Sequence, residues 1–247
     1  MTICIAAICE KGQRVVLVAD RMTTASIPMG FEFESEEVPK ILKLTDEIYL
    51  MTAGNSLHAN EIYRRSIQKI QQSSAGLTVK AISEVTRIEY QLFRRERVIQ
   101  RTLEPRGLSL QDFYTLQQKM HQALVMQIDS ILTSESIGVD LIVVGKDSTG
   151  SHIFSISHPG VSDQHDPIGF VAVGSGAPHA MYSLIGSGYK PSLPLKDAME
   201  LINEAKRKSE VAPGVGRETT TLVIPPESPH NCVSKEASPA PVAESKI

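Results

Sequence analysis

Thr2, the second residue of "MTICIAAIC", carries a hydroxyl beside what becomes a free α-amine once the initiator is removed, and removal is efficient ahead of a residue as small as threonine. A hydroxyl alone is a poor nucleophile and needs a base within reach. An α-amino group, with an ordinary pKa of about 7.7 to 8.0, can accept that proton near neutral pH. One residue then holds nucleophile and base together. The apolar run Ile3 to Cys9 follows at once, so a buried strand fixes in place a terminus that most domains leave loose.

Other stretches offer weaker chemistry. "GSG" at Gly174-Ser175-Gly176 lacks the third glycine of a dinucleotide loop. "SDQHD" at 162–166 has no metal-ligand spacing and reads as a polar loop. "YRRS" and "FRRER" sit in helical stretches beside Glu and Gln, which suits a solvated or subunit-facing helix surface better than a nucleic-acid interface.

A chain of 247 residues, 41% hydrophobic and 21% charged, can bury a large core. Its formal net charge of -3 gives no global positive field to draw it to nucleic acid or anionic lipid. The three cysteines, Cys4, Cys9 and Cys232, are odd in number and without CxxC spacing, so neither a disulfide framework nor a zinc site is expected. No basic region precedes the apolar start and Glu10-Lys11 ends it, so no signal peptide or membrane anchor is expected and the cytoplasm is the expected location.

These residues must be positioned by the surrounding elements. Ile3 to Cys9 and Val15 to Ala19 form a hairpin turning at Gly12, and both are apolar on both faces, so layers must cover them above and below. "KILKL" and "EIYLMTAG" give two more strands, turning at Thr45-Asp46. Helical spacing follows at Leu57 to Ile70 and Val79 to Ile99; after "LEPRGLS", Ser109 and Asp112 mark the start of a third helix reaching about Leu132. "VDLIVVG", "SHIFSIS" and "GFVAVGSG" return to strand character, with a loop over Pro159 to Pro167. Two helices, from Pro178 and from Leu195 to Lys208, precede a last strand, "TTTLVI". The tail from 225 to 247, rich in Pro, Ser and Glu, reads as disordered. No internal repeat is present. Buried strands and helices that alternate in blocks predict an α+β, four-layer αββα sandwich: one domain over 1–224, with an extra helical segment at about 101–135.

The stretches "TICIAAI", "VVLVADRMTT", "PKILKLTDEIYLMTAG", "GFVAVGSGAPHA" and "GVGRETTTLVI", in that order, resemble β-type proteasome subunits and their bacterial relatives among the N-terminal-nucleophile (Ntn) hydrolases. The likeness covers about Thr2 to Ile99 and Val139 to Ile224, and leaves the segment from Arg101 to Glu135 without a recognised counterpart. It implies the αββα fold, which the block order suggests independently. It also implies a threonine-type endopeptidase working inside a self-compartmentalised ring on peptide or protein substrates. That family typically works with an ATPase partner and needs no metal or organic cofactor.

Roles follow position by position. Thr2 would be the nucleophile. Lys40, in "PKIL", looks like the lysine whose ammonium favours the deprotonated hydroxyl and amine, and Asp20 like the carboxylate that holds this lysine charged. Gly54, in "TAG", would offer its backbone N–H to the oxyanion, a contribution of about 2.7 to 4 kcal/mol to the barrier. Ser175 looks like the serine beside the threonine amine, and Thr23, Leu42 and Thr52 would shape the pocket for the substrate side chain.

The chain departs from the pattern at two places. Arg21 follows Asp20 directly, and Met22 stands where the family carries an arginine. The aspartate and serine that help to place the threonine amine near the last strand are missing; Ser209 and Glu210 lie nearby, with Glu210 the candidate substitute, and Pro213 or Gly214 stands near the serine's place. Two rival expectations are a non-catalytic ring subunit and an Ntn amidase acting on a small amide.

Overall fold

A run of residues apolar on both faces can be buried only between two layers, and β1 (Cys4–Cys9) and β2 (Arg14–Asp20) obey this. Ile3, Ile5, Ala7, Cys9, Val16 and Val18 face one core, while Cys4, Ala6, Ile8, Val15, Leu17 and Ala19 face another. The structure is a computed structural model that describes residues 2–27, 31–35, 39–73 and 77–225. The tail expected to be disordered falls, apart from Pro225, outside the described residues, and Cys232 with it.

β3 (Thr23–Ile27) and β4 (Phe31–Ser35) pair as a separate two-stranded ribbon. Continuous apolar runs do not reveal these two strands, because "FEFES" alternates with period two. β5 (Ile41–Lys43) and β6 (Ile48–Gly54) come next, then helices α1 (Ser56–Gln71) and α2 (Val79–Thr102). Asn55 caps α1 by accepting from Leu57 N and His58 N at 3.1 Å.

The third helix is not continuous. α3 (Leu110–Leu116) starts on the expected Ser109–Asp112 capping box but ends in a 3-10 turn at Gln117–Lys119, and Met120 is extended before α4 (Gln122–Ser134) begins. The break folds the segment on itself, so that Phe113 and Ile128 bury against Leu103 with Met120 packed beside them. A straight helix could not bring Phe113 and Ile128 together.

β7 (Val139–Asp147), β8 (Gly150–Ser157), β9 (Val161–Gln164) and β10 (Phe170–Val173) follow, then α5 (Ala177–Gly186), α6 (Leu195–Ser209) and β11 (Thr219–Ile224). β9 corrects the expected loop over 159–167. Its residues are mostly exposed and polar, but its backbone pairs with β8 at the edge of the sheet, a role that apolar content does not announce.

The strands form two sheets, ordered β10-β1-β2-β11 and β5-β6-β7-β8-β9. Between them Cys4, Ala6 and Leu17 meet Met51, Ile142, Val144 and Ile153. Ala180 and Leu184 of α5 and Ala198, Ile202 and Ala205 of α6 cover the outer face of the first sheet. Ile62 of α1 and Ile82 and Tyr90 of α2 cover Leu50, Leu141 and Val143 of the second. The layers are therefore α, β, β, α, the architecture expected from the block order.

Candidate active site

Thr2 precedes β1 and is 4% exposed. Its backbone N donates to Ser175 Oγ at 3.2 Å, and its carbonyl accepts from Gly176 N at 3.2 Å. Both partners belong to the turn between β10 and α5, which lies against Thr2 because Gly174 has no side chain. An added Cβ at Gly174 would stand 2.2 Å from Thr2 O, and the residue's φ of +100° also favours glycine. Thr2, Ser175 and the "GSG" turn are thus brought together across 173 residues of sequence.

Asp20 ends β2 and points into the same corner. Its Oδ1 accepts from Ile3 N at 2.9 Å and from Lys40 Nζ at 2.7 Å, while Oδ2 accepts from Gly216 N at 2.9 Å. The Asp20 and Lys40 side chains are 0% and 6% exposed. A buried ion pair survives only where further hydrogen bonds satisfy its remaining valences, and here two backbone N–H groups do so for the carboxylate. Lys40 Nζ also donates to the carbonyl of Met22. The residue in the arginine's expected place therefore contributes a backbone oxygen to the lysine.

Lys40 sits just ahead of β5, and Thr52 N of β6 donates to Lys40 O at 3.0 Å, which ties the lysine's backbone to the second sheet. Leu42 and Thr52 share the helix-facing side of that sheet, since Leu42 pairs with Leu50 and packs on the core beneath α1 and α2. Thr23 opens β3; its side chain lies outside the described residues. Gly54 ends β6 at φ +93°, and a Cβ there would stand 2.1 Å from Gly138 O, so glycine is required where β6 turns into α1.

Cys4 is a neighbour of the site that the sequence marks only as a strand residue. Its Sγ lies 3.4 Å from Thr52 O. Burial pushes the thiol up from 9.0 to about 12; the ammonium of Lys40 opposes the shift and the carboxylate of Asp20 adds to it. Strand alternation puts Cys4 on the inter-sheet face, but nothing local in the sequence shows that the ion pair lies next to it.

Glu210 is held elsewhere. Its Oε1 is 2.6 Å from Lys206 Nζ, and Ser209 Oγ donates to Lys206 O at 2.5 Å, so neither residue has a described hydrogen bond to Thr2. Helix α6 turns both toward its own last turn and the loop that follows. The basic stretches are likewise engaged within the fold: Arg65 pairs with Glu61 and Glu96, and Arg94 donates to carbonyls of Leu132, Thr133 and Glu135. A cavity of about 480 Å³ between α2, α3 and α4 contains none of the candidate residues.

Among the described residues no group of three or more His, Cys, Asp or Glu could hold a metal ion, and no helix is long and apolar enough to cross a membrane. In the "SDQHD" stretch, His165 pairs with Ser155 Oγ at 2.8 Å and burial lowers its pKa, while Asp166 binds His152 Nδ1 at 2.6 Å.

Comparison with known proteins finds two partial likenesses. The model of the proteasome subunit family matches residues 114–211, a span that begins inside the segment for which the resemblance offered no counterpart. A stretch of 69 residues is 41% identical to a probable proteasome subunit beta type-2 of Schizosaccharomyces pombe, covering 28% of this chain and 24% of that protein's length. Over these spans, and in its four-layer sandwich, the chain is similar to proteasome subunits, and it spans about a quarter of the length of the curated relative it matches.

Proposed function

We propose that the protein is a threonine-type peptidase in which Thr2, freed of Met1, attacks the scissile carbonyl within a ring of such subunits. The observation that carries the reading is the sharing of Asp20 Oδ1 by Lys40 Nζ and Ile3 N, which holds a buried cation against the Thr2–Ile3 peptide. A cation there favours the deprotonated hydroxyl and the neutral amine. Ser175 Oγ, 3.2 Å from Thr2 N, orients that amine.

The hydroxyl proton passes to the amine, directly or through water, as the Thr2 oxygen bonds to the carbonyl carbon. Negative charge develops on the carbonyl oxygen, and the Gly54 N–H is the proposed donor to it. Collapse breaks the carbon–nitrogen bond, the amine returns the proton to the leaving group, and water hydrolyses the remaining ester. Thr23, Leu42 and Thr52 are proposed to receive the substrate side chain. Assembly into rings, an ATPase partner and protein substrates extend the same reading from the family.

One observation favours a second reading, a ring subunit without activity: the carboxylate of Glu210 is occupied by Lys206, which leaves no described carboxylate at the Thr2 amine. A peptide epoxyketone separates the two readings, because its adduct requires both hydroxyl and free amine on one residue. An adduct on Thr2 in the parent, absent in Thr2→Ala and Lys40→Ala, supports catalysis. An assembled ring that lacks Met1 and forms no adduct overturns it. Turnover of small amides in place of peptides would reassign the substrate class to an amidase.

A further inference from the structure

We infer that Lys206 is a positioning residue for the Asp20–Lys40 pair, an inference that rests on the peptidase reading for its catalytic meaning. Lys206 lies in the last turn of α6, with its side chain only 4% exposed. Burying an ammonium is costly unless it is paired and hydrogen-bonded. Its two described partners are Glu210 Oε1 and Arg217 O, each at 2.6 Å.

The second partner leads to the candidate site. Arg217 immediately follows Gly216, whose N–H donates to Asp20 Oδ2 at 2.9 Å. The loop is pressed hard against that corner: a Cβ on Gly216 would stand 2.6 Å from Met22 Cβ and 3.3 Å from Asp20 Oδ2. Met22 in turn gives its carbonyl to Lys40 Nζ. A continuous path therefore runs from the Lys206 ammonium through the Arg217 carbonyl and the Gly216 amide to Asp20 and Lys40. Thr219 Oγ1 also donates to Arg217 O, at 3.1 Å, but from an exposed position two residues along the same strand entry. Among the described residues, Lys206 alone reaches this carbonyl from the outer helical layer, so it fixes where the loop sits relative to the sheet.

The chemistry explains why a lysine occupies a site that could hold a methionine of similar length. A loop of backbone amides adjusts easily, and a donor to a catalytic carboxylate is useful only when its position is set beforehand. An ion pair to Glu210 one helical turn on holds Lys206 in place, and its hydrogen bond to Arg217 O anchors the loop. Glu210, which the sequence offered as a partner for the Thr2 amine, has the different task of orienting Lys206.

The test is hydrogen exchange on the full chain, read by mass spectrometry over the peptide spanning 212–219, together with steady-state kinetics. In Lys206→Met, exchange at Gly216 is expected to quicken about tenfold while amides of β1 and β2 keep their protection. Thr2 labelling and kcat are expected to fall about 10- to 100-fold with KM changed less than about twofold. Glu210→Gln keeps the bond to Arg217 O and is expected to loosen Gly216 less than Lys206→Met does.

Unchanged exchange at Gly216 in Lys206→Met overturns the inference, as does faster exchange with an unchanged rate of labelling. Equal loosening in Glu210→Gln overturns the path through the Arg217 carbonyl. If the parent protein itself is not labelled, the peptidase reading fails, and exchange at Gly216 still decides whether Lys206 braces Asp20.

Discussion

Lys40 Nζ lies 2.7 Å from Asp20 Oδ1, with both side chains almost wholly withdrawn from water. Removing one partner of such a pair strands the other, at a cost of about 3–5 kcal/mol. In Asp20→Ala the ammonium keeps, of its described partners, only the Met22 carbonyl. Chemical denaturation is expected to show a loss of that size, and Thr2 labelling to disappear. Asp20→Asn, whose single amide oxygen can accept from Ile3 N or from Gly216 N but not from both, should recover part of the stability but not the labelling.

Gly174→Ala and Gly54→Ala test the two close approaches at the site. Each places a Cβ 2.1–2.2 Å from a carbonyl oxygen at a positive φ. Residues forced into such backbone regions cost about 1–3 kcal/mol before the clash is counted. Gly12→Ala also adds a Cβ at positive φ, but nothing stands within 4 Å of it. Thermal unfolding should rank Gly12→Ala as the mildest of the three.

The buried thiols predict alkaline lability. Burial raises Cys4 from 9.0 to about 12 and Cys9 from 9.0 to about 11. A group whose pKa is raised on folding lends its stability in full below the unfolded value and loses it as pH climbs through the folded value. The window is therefore about pH 9 to 12. Over it, Cys4→Ala is expected to flatten the fall of unfolding free energy by about 1.4 kcal/mol per pH unit, measured by urea titration.

Asp147 predicts a loss at the other end of the scale. Burial works to raise its pKa, but hydrogen bonds from the Thr149 hydroxyl and amide and from Val79 N outweigh it, with His152 adding a smaller pull, so the carboxyl is held below its ordinary range. A carboxylate depressed on folding contributes stability above its unfolded pKa and loses it as pH falls through the folded one. Asp147 Oδ2 also meets the first turn of α2, at 2.9 Å from Val79 N. Asp147→Ala is expected to cost about 1–2 kcal/mol at pH 7 and progressively less as pH falls below the ordinary carboxylate range, read by denaturation at each pH.

The α3–α4 segment should unfold separately from the sandwich. Its own small core centres on Leu103, Phe113 and Ile128. Phe113→Ala is expected to destabilise it by about 3–5 kcal/mol. Limited proteolysis should then cut within 104–121 while the circular dichroism of the β-sheets is retained. Cuts spread evenly along the chain would show that the segment and the sandwich unfold together.

Periodicity is a property of neighbours in the chain, and it sufficed for much of the architecture. The two-faced apolar character of Ile3 to Ala19, the helical spacing of α1 and α2 and the block order together specify two covered sheets. The Ser109–Asp112 capping box is likewise local and stands where it was read. The break at Met120 is hidden because it answers to Leu103, a partner outside the local helical period, and the edge strand β9 is hidden because its residues are mostly polar and exposed although its partner β8 is the preceding strand.

At the candidate site the residue types were visible in the chain but their partners were not. Thr2 meets Ser175 across 173 positions and Asp20 meets Gly216 across 196, distances over which only strand pairing and layer packing choose who touches whom. The same packing gives Glu210 to Lys206, brings Cys4 beside the ion pair and assigns the Met22 carbonyl to Lys40. Composition and spacing can nominate a carboxylate or an ammonium. Its neighbours depend on register, because a shift of one residue along a strand would turn every side chain to the opposite face.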